Sequence, residues 1–248
     1  MTVLARRAPV AKLGSALLLS LAALTTLDAA VLGGIVLLTL LITPLFGLTP
    51  WGLLRRAWPA LLGAASVVIS LSLFAADRSG EVLVDAGPFV ITTSVLSLSV
   101  SYALRLLALA LPAVLVYATT DPTDLADSLI QHVRAPARFA IGALAAFRLV
   151  GLLGEEWRLI SMARRARGID AGGNPLRWVR LFAGTAFGLL VGAIRRGTRL
   201  AQAMDARGFD SGVRRSVARP SPFGLGDWAL LLAALLLATL VVLLSARS

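Results

Sequence analysis

Between Leu13 and Phe46 the chain carries one charged residue, Asp28. A helical span of a bilayer's hydrocarbon core needs about 20 predominantly apolar residues, so this stretch reads as two membrane segments, Leu13 to Leu27 and Ala29 to Phe46. Lipid offers a peptide group no hydrogen-bond partner, and an α-helix satisfies its backbone within the segment itself. The rest of the chain repeats the pattern. Apolar segments follow at about 60–76 and 88–118, and a last one runs from Trp228 to Leu244 behind Asp227. The composition agrees, with 58% hydrophobic and 15% charged residues, where a soluble domain carries about 25% charged. The expected fold is all-α, a polytopic membrane protein of about five transmembrane helices with long cytoplasmic helices. Its parts are 1–118 (transmembrane), 119–225 (cytoplasmic) and 226–248 (a C-terminal transmembrane helix).

Charge orients the spans. The net charge is +11, and nearly all of the positive charge is arginine, Lys12 being the one lysine. Basic residues gather at the N-terminus (Arg6, Arg7, Lys12), in the Arg55/Arg56 loop and in 119–225, which holds sixteen arginines against eight acidic residues. The loop at 77–87 is acidic, with Asp77, Glu81 and Asp85 against Arg78. Cytoplasmic loops carry the excess of arginine and lysine, so the N-terminus and 119–225 are expected inside and the acidic loop outside. Five spans then put the C-terminus outside. An N-terminal signal peptide is the weaker reading, because the first apolar run leads into another and not into a polar mature domain. Arg105 interrupts the fourth segment and is expected to face a protein or water-filled interior, or an interface.

The region 119–225 is written as helices with explicit ends. Asp121-Pro122-Thr123-Asp124 reads as an N-cap, a proline at the first helical position and a carboxylate in the first turn. A second helix starts at Pro136 and runs to Arg167, and Asn174-Pro175 opens a third that runs to Arg207. Each of these two is about 45 Å long at 1.5 Å per residue. Both close on nearly the same phrase, Ala166-Arg167-Gly168-Ile169-Asp170 and Ala206-Arg207-Gly208-Phe209-Asp210, with Ala163 and Ala203 three residues upstream. Glycine suits the left-handed residue just past a helix end, and arginine in the last turn suits the negative end of the dipole. One such end is an ordinary basic cap; the repetition makes the pair a candidate site.

Other residues of this region qualify the reading. Gly184, Gly188 and Gly192 recur every four residues; a ridge of this kind admits another backbone closely, so a tight crossing with the helix ending at Arg167 is expected. Glu155 and Arg158 are spaced to pair on one helix, Arg148 lies two turns before Glu155, and Glu156 adjoins them. Arg164 and Arg195 are expected to be solvated or lipid-facing. Part of the basic surplus suits anionic lipid headgroups.

Several chemistries find no support. The chain has no cysteine and one histidine, His132, a poor start for zinc or for a nucleophilic relay. Lys12 lies between Ala11 and Leu13, which excludes a G-x-x-x-x-G-K-[ST] phosphate loop, so any ATP energy must come from a partner. Asp121, Asp124 and Asp127, spaced by threes, allow a Mg²⁺-diphosphate site of the prenyltransferase kind. A matching second acidic cluster is missing from the sequence, and helix capping accounts for Asp121 and Asp124.

The stretch from about Arg105 to Phe209 resembles the transmembrane T component of energy-coupling-factor transporters. The resemblance rests on Thr119-Thr120-Asp121-Pro122 with Asp124-Leu125-Ala126, the Pro136 helix start, Arg148 followed by Glu156 and Ile160, Ala163-Arg164-Arg165-Ala166-Arg167-Gly168, and Ala203-Met204-Asp205-Ala206-Arg207-Gly208-Phe209. It implies a non-catalytic scaffold of a prokaryotic plasma membrane, serving uptake of a vitamin or of nickel or cobalt. Arg167 and Arg207 would dock into two ABC-type ATPase subunits, with Ala166, Gly168, Ala206 and Gly208 shaping the ends of two coupling helices. ATP and Mg²⁺ would sit on those ATPases, and the substrate on a membrane-embedded S component. Nucleic acid is not an implied partner. The alternatives are a membrane enzyme built on the aspartates or a lipid-binding adaptor.

The orientation is testable because the chain has no cysteine of its own. Single cysteines at Ser79 and Ser211, probed with an impermeant thiol reagent on intact cells, are expected to label at 79 and not at 211. The reverse pattern would invert the topology.

Overall fold

The computed structural model describes residues 7–74, 81–86, 89–209, 211, 217 and 219–246. Asp77, Arg78 and Ser79 of the acidic loop, Arg6, and Asp210 of the second repeated phrase lie outside them. The elements in order are α1 (Pro9–Leu24), α2 (Ala29–Ile42) with a 3₁₀ turn (Thr43–Phe46), α3 (Pro50–Arg56), α4 (Trp58–Phe74), strands β1 (Val82–Ala86) and β2 (Phe89–Thr92), α5 (Thr93–Ala118), α6 (Pro122–His132), α7 (Ala137–Ala166), α8 (Pro175–Ala206) and α9 (Leu225–Ser245). The protein is an all-α polytopic membrane protein whose one sheet among the described residues is the β1–β2 hairpin.

Among the described residues, five helical stretches are long and apolar enough to cross a membrane: Ala29–Phe46, α5, α7, α8 and α9. The bent pair α3 and α4, folded by 70° at Ala57, makes a sixth. The set differs from the expected one at three places. The first apolar run yields only sixteen helical residues in α1. The fourth segment starts at Thr93 and not near 88, because Phe89-Val90-Ile91-Thr92 is aromatic and β-branched, suits a strand, and pairs with β1. Thr92 then caps α5 by accepting a hydrogen bond from the Val95 amide. Finally α7 and α8, assigned to the cytoplasm on charge, pass the length and apolarity test for a span.

The chain folds as two compact units, Met1–Arg134 with Ser221–Ser248, and Ala135–Pro220. The first is the helical bundle. Small residues of α1 (Ala22, Ala23) and α9 (Ala238) let those helices meet Leu32 and Ile35 of α2 and Ala108 of α5 in one buried cluster. A second cluster joins Phe46, Leu53 and Ala57 to Leu111 and Leu115 of α5. Buried hydroxyls bond inside their own helices: Thr39 to the Ile35 carbonyl at 2.8 Å, Thr43 to Thr39 at 2.7 Å and Ser99 to Val95 at 2.7 Å. That local pairing removes the cost of an unsatisfied polar group in an apolar environment. Arg105 donates to the Leu24 carbonyl at the C-terminal end of α1, so it faces protein and meets a helix end that favours a cation.

The helix α6 packs on α1 within this bundle, so the unit boundary falls at Arg134 and not at Thr119. What draws α6 in is a buried polar knot around Lys12, which is 2% exposed. The Lys12 ammonium donates to the Thr119 carbonyl at 3.1 Å, and Asp124 and Asp227 act on it as opposing charges. Asp227, 4% exposed, accepts from the Ala8 amide at 2.9 Å and the Gly224 amide at 2.8 Å, closing the N-terminal end of α9 against α1. Ser128 of α6 accepts from the Val10 amide.

Removing one partner of a buried charge pair costs about 3–5 kcal/mol, because the other charge is left uncompensated. Lys12→Met is therefore expected to lower the unfolding temperature in detergent strongly. Adding Asp227→Asn to it is expected to cost less than Asp227→Asn alone, and additive losses would show that the two charges are not coupled.

Candidate functional site

The repeated phrases form the same backbone structure twice. In α7 the last helical residue is Ala166, Arg167 is the C-cap, and Gly168 follows with φ of 71°. The Gly168 amide donates to the Arg165 carbonyl at 3.0 Å and the Ile169 amide to the Arg164 carbonyl at 2.9 Å. In α8 the last helical residue is Ala206, Arg207 is the C-cap, and Gly208 has φ of 73°. Its amide donates to the Asp205 carbonyl at 2.9 Å, and Phe209 donates to Met204 at 3.0 Å. These paired 6→1 and 5→2 bonds are the Schellman motif, which satisfies carbonyls that the helix leaves without partners. Both glycines are required by the left-handed backbone. Arg167 and Arg207 are exposed, so each helix ends in an outward guanidinium.

The intervening turn is equally determined. Gly172 and Gly173 are left-handed, with φ of 51° and 79°, and Asn174 caps α8 by accepting from the Leu176 amide at 3.0 Å and the Arg177 amide at 3.3 Å. Pro175 takes the first helical position, where no amide is needed.

Polar contacts then fasten α8 back along α7. Arg164 donates through Nη1 to the Leu181 carbonyl at 2.9 Å and to Thr185 Oγ1 at 2.7 Å. Eight residues earlier on α7, Glu156 takes Arg196 in a two-toothed ion pair, Nη1 to Oε1 and Nη2 to Oε2, the latter at 2.7 Å. Between these points Phe182 lies 5.0 Å from the Trp157 ring and stacks on Trp178 at 5.4 Å. Thr185 and Leu189 are the buried residues of α8. A groove of about 350 Å³ opens beside the first helix end, lined by Trp157, Arg164, Arg165, Asp170, Trp178 and Phe182 among others.

Several expectations about the supporting residues change. No ion pair joins Glu155 to Arg158 among the described residues; Glu156 is the acid that pairs, and it does so across the helices. Arg148 lies at a second groove, of about 310 Å³, formed by apolar residues of α7 with Leu200 and Met204. Arg164 is not a solvated bystander, since it bonds to α8, whereas Arg195 is exposed as expected. The glycine ridge makes no close crossing: a Cβ at Gly188 would meet nothing within 4 Å, and those at Gly184 and Gly192 would meet only arginine side-chain nitrogens at 3.8 and 3.6 Å. The seam runs instead through Thr185 and Leu189, about 100° round the helix from Gly184 and Gly188.

Two aspartates of the alternative metal reading are engaged elsewhere. Asp121 spends its carboxylate on the Thr123 amide at 2.7 Å, as the N-cap of α6, and Asp124 acts on Lys12. Among the described residues no three acidic or histidine groups are placed to share a metal ion. His132 packs against Phe223 with the rings tilted and 5.2 Å apart, and its Nδ1 lies 3.1 Å from the Ser128 carbonyl.

Residues 1–217 match the sequence profile of the CbiQ family, described as cobalt transport protein. The energy-coupling factor transporter transmembrane protein EcfT of Exiguobacterium sibiricum is 32% identical over 175 residues, which is 67% of this chain and 66% of that protein, just under two thirds of its length. The corresponding protein EcfT 1 of Listeria monocytogenes is 29% identical over 200 residues, 77% of this chain and 74% of the relative. A relative in Bifidobacterium longum, named as a putative ABC transporter ATP-binding protein, is 28% identical over 148 residues; the match covers 56% of this chain and 19% of that protein.

The helix ends themselves can be tested. At Gly168 an added Cβ meets no atom within 4 Å, so Gly168→Ala acts only through the left-handed backbone, at a cost of about 1 kcal/mol. Amide hydrogen exchange at Ile169 is expected to quicken in Gly168→Ala and to change less in Gly168→Asn.

Proposed function

This chain belongs to the CbiQ family and is an energy-coupling-factor transporter transmembrane component, and on that premise we propose that it couples two ABC-type ATPase subunits to a membrane-embedded S component. The observation that carries this reading is the pair of matched Schellman ends, each presenting one exposed arginine, Arg167 and Arg207. Two equivalent cations on two helix ends suit two equivalent acidic grooves, as a pair of related ATPases would offer. A relative named as an ATP-binding protein is 28% identical to this chain over 148 residues, which supports an ATPase partner. In this reading the chain binds neither ATP nor Mg²⁺ and performs no catalysis; both ligands sit on the ATPases.

We place α7 and α8 on the cytoplasmic side with the N-terminus. Their apolar stretches satisfy the composition of a span, but Arg148 on α7 would cost about 2.5–3.5 kcal/mol at a bilayer centre on insertion scales, and Glu155, Glu156 and Arg158 on α7 and Arg177, Arg180, Arg195, Arg196 and Arg199 on α8 load the flanking turns with charge. The substrate is a vitamin or a transition-metal ion, and the cobalt of the family description favours the metal. Its binding site belongs to the S component, and the organism is a prokaryote with the transporter in its plasma membrane.

A charge-assisted hydrogen bond at each end contributes roughly 1.5–3 kcal/mol. Arg167→Ala or Arg207→Ala alone is expected to weaken co-purification of the ATPase subunits, and the double variant to abolish it while the membrane bundle stays folded. Arg→Glu is expected to be worse than Arg→Ala. Arg165 and Arg195, both exposed, are the controls, Arg164 being engaged with α8. A double variant that retains the ATPases as well as an Arg165→Ala, Arg195→Ala chain would remove the coupling role.

A further inference from the structure

We propose that Glu156, Arg164 and Arg196 are positioning residues that form a two-point clamp setting the angle between α7 and α8, and hence the separation of the Arg167 and Arg207 ends. The inference rests on the coupling role just described, but the geometry stands by itself. A single contact between two helices is a pivot, about which either can swivel. Here there are two contacts: Arg164 on the Leu181 carbonyl and Thr185, and Glu156 on Arg196. They lie eight residues apart on α7, about 12 Å along its axis. Two points at that spacing remove the swivel as well as the slide.

The chemistry of each point is directional. Arg164 uses Nη1 for a carbonyl and a hydroxyl at once, and that hydroxyl is held in turn by the Leu181 carbonyl at 2.8 Å. Glu156 and Arg196 meet through both oxygens and both terminal nitrogens, an arrangement that fixes orientation as well as distance. The side chains of that pair remain 38% and 30% exposed. Ion pairs so open to solvent add little to stability, so the use of this one is geometric. Apart from the Trp157–Phe182 ring contact, the rest of the interface is thin. Only Thr185 and Leu189 of α8 are buried, no residue of α7 is, and the glycine face adjoining the seam is open at Gly188.

The test uses the full chain in nanodiscs. Spin labels on cysteines at the exposed Ala163 and Ala203 report the separation of the two ends by electron–electron dipolar spectroscopy. Glu156→Gln and Arg196→Met are each expected to broaden the distance distribution about twofold. The charge-reversed pair Glu156→Arg, Arg196→Glu is expected to narrow it again, a rescue that loss of folding would not permit. In the complex with ATPase subunits, the single variants are expected to keep the ATPases bound while ATP hydrolysis loses its response to the S component, and the reversed pair to recover that response. Unchanged distance distributions in both single variants would overturn the clamp. Broadened distributions with an unaltered ATPase response would overturn its role in positioning the two ends for coupling. If the ATPases fail to bind the unaltered chain at all, the coupling reading falls while the distance measurement still decides the clamp.

Discussion

A membrane chain has to bring its polar groups into the bundle already satisfied, and at Lys12 this one has to satisfy a full charge. Burying an ammonium is tolerated only with carbonyl and carboxylate oxygens around it. Those oxygens come from Thr119 at the end of α5, from Asp124 on α6 and from Asp227 at the start of α9. The knot therefore dictates which ends of α1, α5, α6 and α9 share one end of the bundle. It also draws α6 into the membrane unit, although that helix is polar enough to read as cytoplasmic. Elsewhere in the bundle the same requirement is met locally, by hydroxyls that bond to the preceding turn.

The second unit follows a different logic. Its two long helices bury almost nothing between them, and their faces carry large exposed apolar residues such as Phe139, Phe147, Leu176 and Phe187. What is well defined is polar: two Schellman ends, an Asn–Pro helix start, one bidentate ion pair and one arginine reaching into the neighbouring helix. Hydrogen bonds with strict geometry supply orientation where hydrophobic packing is thin. That suits the role proposed above, in which this unit holds two contact points for other proteins.

What could be read from the sequence was the part determined by neighbours along the chain. Both left-handed glycines, the Asp121 and Asn174 caps, the prolines that follow them and the long run from Pro136 to Arg167 all depend on residues within one helical turn, and each appears in the structure as read. Partners that depend on how two helices cross were not legible. Glu156 was visible as a charge, but Arg196 lies forty residues on, and spacing within one helix suggested Glu155 with Arg158 instead. Arg164 looks like its neighbour Arg165 in sequence; only the position of Thr185 makes it structural. The glycine ridge failed for the same reason: regular spacing shows that a face is narrow, not that a neighbour occupies it. Strand β2 was missed because Phe89-Val90-Ile91-Thr92 is as apolar as the helix it precedes, and hydropathy alone does not separate the two.

The two helix ends, alike in backbone, differ in how far they stand from the points that hold them. Arg167 is three residues past Arg164, about 4.5 Å along the axis, whereas Arg207 is eleven residues past Arg196, about 16 Å. Each helix can still bend beyond its last held point, and a bend of about 5° there would carry the far tip by about 1.4 Å and the near tip by about 0.4 Å, taking the free stretch as straight at 1.5 Å per residue. The chain is thus a lever with unequal arms. If both ends bend through the same angle, one arginine travels several times as far as the other, so two identical partners docked on them, as proposed above, would meet unequal displacements.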